Sequence, residues 1–235
     1  MKQEYLFVED THKAEVESYT PENVRCSIQN IEDSSCWIAV YEASGENLPS
    51  AKILSKTNDY IMSKFNPTIL TNESAAYFNK SLYPYFNEFE RKLRKLLYLK
   101  SALQHDATAS QNIKELESKD LGTIFELLFT DTEKSWQFTR DEIINTINQL
   151  SESTLWDSLI GHETISILRS DFIRVKNYRN DVMHAHNMDA ASYTSALGII
   201  KKINDQLDDE LNKLVKSPEK EEALAKLLTA GVEVL

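Results

Sequence analysis

The 235-residue sequence is long enough for one medium-sized domain with a small additional lobe. Its formal charge of -11 argues against an extended nucleic-acid-binding surface, because phosphate groups attract Lys and Arg and repel Asp and Glu. The first residues lack the apolar stretch of a secretory signal, and no apolar run approaches the ~20 residues that span a bilayer. We therefore expect a cytoplasmic protein that does not bind a membrane.

Short strands are predicted near the amino end of the chain. Residues 5–8 form an apolar run, and residues 24–28 alternate apolar and polar side chains at the two-residue period of a half-buried strand. Turn-forming residues at 33–35 precede a second apolar run at 36–41, which predicts a hairpin.

A helix and two cysteines complete this region. Cys26 and Cys36 have apolar neighbours and no Cys or His partner at a metal-binding spacing, so we expect reduced core residues and no metal site. Residues 49–65 suit a helix that ends just before Pro67, because a proline disfavours helical backbone in the residue preceding it. Residues 1–72 are therefore predicted to form a small N-terminal α/β lobe.

After this lobe, apolar residues recur at spacings of three and four, which is typical of helices, and no further strand is predicted. Pro84 lies inside the first predicted helix and should begin, break or kink it. On the last long helix, Leu207 and Leu211 belong to an apolar stripe and should be buried. The predicted helices cover about 74–103, 121–129, 139–150, 163–184, 190–215 and 217–229, with a polar loop at 105–118. We predict an α+β fold in which a predominantly α-helical bundle, residues 73–235, follows the lobe.

The segment Tyr-Arg-Asn-Asp-Val-Met-His-Ala-His, residues 178–186, is the strongest candidate for a functional site. Asn180 and His184 are four residues apart and share a helix face. Arg179 and His184 are about 140° apart on a helix, so they converge only if the arginine side chain wraps around the helix or the helix bends. The alternative is an ordinary helix end, at which His184 and His186 interact with the helix dipole while Arg179 is solvated.

A second pattern lies on the first long helix, in the segment Glu-Arg-Lys-Leu-Arg at residues 90–94. Glu90 and Arg94 are four residues apart and can simply form an ion pair on the helix surface. Together with the later Arg179-Asn180 and His184, however, the order resembles the HEPN superfamily, and most closely its Abi-like branch, which is linked to abortive infection and phage defence. In that superfamily an early helix carries Glu-x-x-Leu-Arg and a later one carries Arg, a polar residue and His. The resemblance covers about residues 76–215.

The resemblance implies a metal-independent endoribonuclease without a cofactor, whose active site forms where two copies of the later helix meet in a homodimer. It implies that His184 transfers protons, that Arg179 binds the phosphate, and that Asn180 positions the 2′-hydroxyl or the histidine ring. Glu90 and Arg94 would hold this cluster in place from the neighbouring helix. Imidazole suits this chemistry because it titrates near neutral pH, and guanidinium suits it because its planar donors match phosphate.

The charge distribution agrees with local binding of RNA. Residues 76–110 contain six basic and three acidic residues, and residues 166–188 contain four and two, whereas the rest of the chain is acidic. Candidate RNA contacts in and beside the two motifs are Arg91, Lys95, Arg174, Lys176 and His186. Solvation alone would also explain His186.

A function of a different class is also compatible with the sequence. A non-catalytic HEPN-like helical module would use the same fold to dimerise or to bind a partner protein, and the net charge favours it. The Arg-Asn and His motif and the two basic segments favour the endoribonuclease, which would act on RNA as a toxin or phage-defence effector. An antitoxin or defence-system protein is then an expected partner, and neighbouring genes would distinguish the two hypotheses.

Overall fold

The structure is a computed structural model, and it describes residues 1–103, 117–124, 128, 160 and 165–214. Within these ranges the chain is α+β, with strands near the amino end and helices after them. The predicted fold class is thus confirmed at this level.

A four-stranded antiparallel sheet forms near the amino end, in the strand order β2-β3-β1-β4. The strands are β1 (Lys2–Phe7), β2 (Val24–Asn30), β3 (Trp37–Ala43) and β4 (Thr68–Asn72). The three predicted strands and the hairpin between β2 and β3 are confirmed. Strand β4 lies inside the predicted lobe but was not predicted from the sequence, and it forms the edge of the sheet beside β1. Since none of its five side chains is buried, it lacks the alternating apolar pattern of a half-buried strand.

Two helices lie beside these strands in the chain. Helix α1 (Lys13–Ser18), which a 3-10 turn precedes, was not predicted from the sequence. Helix α2 (Leu48–Phe65) was predicted, and the side chain of Asn47 caps its first turn by accepting a hydrogen bond from the Ser50 amide at 3.0 Å. It ends at Asn66, whose φ of 48° is left-handed.

The core of this part of the chain lies between α2 and the sheet. Phe7 stacks on Trp37 with ring centroids 4.1 Å apart, and Leu54 and Ile61 of α2 are fully buried in the same cluster. Cys26, which packs against this cluster, and Cys36 are free thiols, as predicted, but each is half-buried instead of belonging to the core. Burial raises the pKa of the Cys26 thiol.

Three long helices follow, close to their predicted positions: α3 (Glu73–Leu103), α4 (Ser166–Met183) and α5 (Ala190–Leu214). Residues 121–124 and 128 are also helical. The predicted loop lies outside the described residues except for its last two positions, which are helical, and the helices predicted at 139–150 and 217–229 lie outside them entirely. None of the helices in the described part of the chain is long and apolar enough to cross a bilayer.

Helix α3 continues through Pro84, so the proline neither begins nor breaks a helix there, and the predicted kink stays a prediction. Proline removes the hydrogen bond to the carbonyl four residues earlier, which belongs to Lys80. Because Lys80 and Pro84 are both exposed, water can satisfy that carbonyl, and the helix loses one bond without burying an unpaired group.

The chain is organised in two compact units. The first comprises Met1–Phe86 and Asn177–Ile199, and therefore includes the sheet, the end of α4 and the start of α5. The second comprises Asn87–Lys176 and Ile200–Leu235. In the second unit Leu207 is fully buried and Leu211 is 7% exposed, which confirms the predicted burial of both. The proposal of separate domains with a boundary at residue 72 stays a prediction.

Candidate active site

The end of helix α4 is a tight turn that reverses the direction of the chain. The amide of His184 donates the last regular helical bond, to the carbonyl oxygen of Asn180 at 2.9 Å. Ala185 then adopts a left-handed φ of 53°, and the His186 amide donates to the carbonyl oxygen of Asp181 at 2.9 Å. This bond across five residues is the pattern of a Schellman helix end, in which glycine is the usual left-handed residue. Ala185 therefore occupies a position that disfavours a side chain.

The turn brings His186 back against the helix that it has just left. Its ring nitrogen Nδ1 lies 3.0 Å from the carboxylate oxygen Oδ1 of Asp181. Its carbonyl oxygen accepts a hydrogen bond from Nδ2 of Asn79 on α3, at 2.8 Å. Asn79 is only 6% exposed, and its own Oδ1 accepts no hydrogen bond from any described residue. Both the ring and the backbone of His186 are therefore held by specific partners.

The two histidine rings lie side by side at this turn. The ring centroids of His184 and His186 are 5.8 Å apart, and the ring planes are tilted by 32°. His184 is exposed, and 59% of the His186 side chain is exposed. Two imidazoles are thus exposed close together at the helix end.

Arg179 is not simply a solvated side chain. It is half-buried, and its Nη1 donates to the side-chain oxygen of Asn180 at 3.3 Å. A guanidinium carries its donors in a planar fork, which suits carboxylate and phosphate groups. The side chains of Arg179 and Asn180, which are neighbours in the chain, thus contact each other. The catalytic roles of Arg179, Asn180 and His184 stay predictions.

Glu90 and Arg94 form the ion pair expected from their spacing on α3. Nη2 of Arg94 lies 3.0 Å from Oε1 of Glu90 and also donates to the carbonyl oxygen of Lys119 at 2.8 Å. Partial burial lowers the pKa of Arg94, but its hydrogen bonds with Glu90 and Tyr98 outweigh that effect and raise the pKa above its ordinary value. This pair belongs to the second compact unit, and its support of the cluster at the end of α4 stays a prediction.

The candidate RNA contacts on α3 are accessible. Arg91 and Lys95 are exposed and face an open groove of about 430 Å³, which Arg94, Tyr98 and Leu99 also line. Alternating cations and an aromatic ring are a surface to which a phosphate backbone can bind.

The candidate contacts on α4 differ from those on α3. Nη2 of Arg174 pairs with Oδ2 of Asp171 at 2.9 Å. Asp171 is also the residue at which the backbone of α4 departs from helical angles. Lys176 is half-buried. The ion pair of Arg174 with a carboxylate weakens its attraction for phosphate.

Three residues that position this site were not identified from the sequence. Asp181 and Ala185 hold and redirect His186, and Asn79 contacts it from a helix 107 residues earlier in the chain. The sequence signal for the first two is a His-x-His end on a helix with an aspartate five residues before the second histidine. No such signal exists for Asn79.

Comparison with known proteins gives no match for this chain, whether among protein families, curated proteins or solved structures. Among the residues that the structure describes, no three His, Cys, Asp or Glu side chains come together as a metal-binding group.

Proposed function

We propose that this chain is a metal-independent endoribonuclease of the HEPN type, and that the end of helix α4 is its active site. One observation carries the proposal: a single turn of structure presents two accessible imidazoles, and a guanidinium oriented by an amide precedes them on the same helix. These are the group types that RNA cleavage by an internal nucleophile requires.

The reaction needs no group beyond those side chains. The 2′-hydroxyl of a nucleotide attacks the adjacent phosphorus, the bond to the 5′-oxygen of the next nucleotide breaks, and the products end in a 2′,3′-cyclic phosphate and a 5′-hydroxyl. His184 transfers a proton, and Arg179 stabilises the charge that develops on the phosphate oxygens. Asn180 orients the 2′-hydroxyl or the imidazole.

A homodimer concentrates these groups further. In a two-fold contact between two copies of the end of α4, both Arg179 side chains and both His184 rings would surround one phosphate. Such a contact would also place two basic segments together on an otherwise acidic protein, which would attract RNA locally. We propose that this nuclease acts as a toxin or phage-defence effector and that a partner protein restrains it.

The experiment is cleavage of total cellular RNA by the purified protein, with the product ends and the mass in solution determined. The expected result is cleavage by a dimer that leaves 2′,3′-cyclic phosphate ends, and about 10²-fold or greater loss of rate in Arg179→Ala. Arg179→Lys should retain part of the rate, because it keeps the charge but loses the planar donors.

Cleavage by a strict monomer would contradict the dimeric site. The absence of any cleavage would instead favour the non-catalytic interaction module, for which the net charge of -11 is the supporting observation.

A further inference from the structure

We propose that His186 is a second catalytic residue of this site. His184 and His186 divide the two proton transfers of RNA cleavage between them, and Asp181 is a positioning residue that holds the His186 ring. This inference rests on the proposed function, and it gives His186 a role in the chemistry beyond the RNA contact expected from the sequence.

The reaction involves two proton transfers, one at the attacking 2′-oxygen and one at the leaving 5′-oxygen. The proton of the 2′-hydroxyl leaves as the new bond from oxygen to phosphorus forms, and the 5′-oxygen gains a proton as its bond to phosphorus breaks. Because the attacking and leaving oxygens lie in line on opposite sides of phosphorus, two separate groups serve these steps better than one. One imidazole accepts, one imidazolium donates, and exchange with water restores both.

The geometry of the helix end fits this division. With ring centroids 5.8 Å apart, His184 and His186 can both reach the oxygens of a single phosphodiester, given that proton transfer needs a contact of about 2.6–3.2 Å. Both rings are exposed, so a substrate can approach them. The contact between Nδ1 of His186 and Asp181 leaves Nε2 as the nitrogen that exchanges a proton with the substrate.

His186 makes more contacts with the protein than a side chain that is merely solvated would make. Its ring is bound by Asp181, its amide is bound in the helix-end turn, and its carbonyl is bound by the buried Asn79. The left-handed conformation of Ala185 turns the chain so that His186 comes back against α4.

The test uses an RNA oligonucleotide that the wild-type protein cuts, made in two forms. In the second form, sulfur replaces the bridging 5′-oxygen at the cut site. Because thiols are far more acidic than alcohols, a sulfur leaving group departs without being protonated, and the catalytic acid becomes unnecessary. Cleavage of both forms is measured for the wild type and for His184→Ala, His186→Ala and His186→Asn. The asparagine can still donate to Asp181 but cannot transfer a proton.

The expected result is a loss of about 10²–10⁴-fold on the ordinary RNA in all three variants, with unchanged melting temperatures. The sulfur-containing RNA should restore the rate for variants of one histidine and not for variants of the other. Asp181→Ala should slow the wild type by a smaller factor and should have no further effect when combined with His186→Asn.

Wild-type rates in His186→Ala or His186→Asn would overturn the inference and leave the proposed function intact. If the sulfur-containing RNA restores the cleavage rate for the variants of neither histidine, or for the variants of both, the division of the proton transfers between His184 and His186 is wrong. A wild-type protein that cuts no RNA would overturn the proposed function together with this inference.

Discussion

The carboxylate oxygen Oδ1 of Asp181 and the ring nitrogen Nδ1 of His186 lie 3.0 Å apart, although they are five positions apart in the chain. On a continuous helix these residues would be about 140° apart in rotation and would not meet. The left-handed residue Ala185 makes the contact possible by returning the chain to the helix. A backbone turn thus determines which side chains meet at the end of α4.

The conformation of Ala185 predicts the effect of a glycine at this position. Ala185→Gly should raise the free energy of unfolding by about 0.5–1 kcal/mol, because glycine adopts a left-handed φ without the steric cost of a Cβ atom. Ala76→Gly, on the exposed face of α3, should lower it by a similar amount. Urea denaturation measures whether the free energy of unfolding of each variant rises or falls relative to the wild type. Destabilisation by both substitutions would show that residue 185 is not left-handed.

The buried stripe of α5 predicts a large effect of truncation. Leu207→Ala should lower the free energy of unfolding by about 2–5 kcal/mol, because the side chain is fully buried and its loss leaves a cavity. Asp205→Ala, at an exposed position of the same helix, should change it by less than about 0.5 kcal/mol. Equal effects of the two substitutions in denaturant titration would show that α5 does not pack against a core.

The N-terminal sheet should show a pH dependence that originates at Glu4. Hydrogen bonds from Lys2, and then from Thr71 on β4, lower the pKa of Glu4 below its ordinary value of about 4.5. Because the folded state favours the ionised carboxylate, this stabilisation is fully present above that pH and is lost as the pH falls through the lowered folded value.

Glu4→Gln should therefore destabilise the protein at pH 7, and the difference from wild type should shrink progressively below the ordinary pKa of Glu4. Thermal unfolding across the acid range measures this difference. The matched control is Glu22→Gln, at an exposed loop position. A destabilisation by Glu4→Gln that stays constant down to the most acid pH would rule out the ionised carboxylate as its cause.

RNA cleavage should continue in excess chelator. The proposed reaction uses imidazole for proton transfer and guanidinium for charge stabilisation, which are the tasks that a bound metal ion performs in metal-dependent nucleases. The measurement is the initial rate with and without the chelator, beside a metal-dependent nuclease on the same RNA. If the chelator abolishes cleavage by this protein but restored metal recovers it, the proposed mechanism is wrong.

Regular elements with a buried face were predictable from the sequence. Helices α3, α4 and α5 lie near their predicted positions because their apolar residues repeat at the helical period, and the hairpin of β2 and β3 follows from alternation and turn residues. Strand β4 was missed because none of its side chains is buried, so its sequence carries no alternating apolar pattern. Its backbone pairing with β1 stabilises it instead, and backbone pairing does not depend on a side-chain pattern.

The candidate site was predictable only in part. The types and spacing of Arg179, Asn180 and His184 identified the segment, since a motif depends on local order alone. The contact from Asn79 joins residues 107 positions apart, and such a contact follows from tertiary packing. The position of His186 depends on a left-handed alanine, which sequence propensities disfavour.

The most direct measurement of the central claim is the rate of RNA cleavage by His184→Ala relative to the wild type under single-turnover conditions. His12→Ala, which removes an exposed histidine from a different element, serves as the matched control. The proposed site predicts a loss of about 10²–10⁴-fold for His184→Ala and none for His12→Ala, with both proteins folded as the wild type is. Equal rates for wild type and His184→Ala would contradict the assignment of the active site to the end of α4.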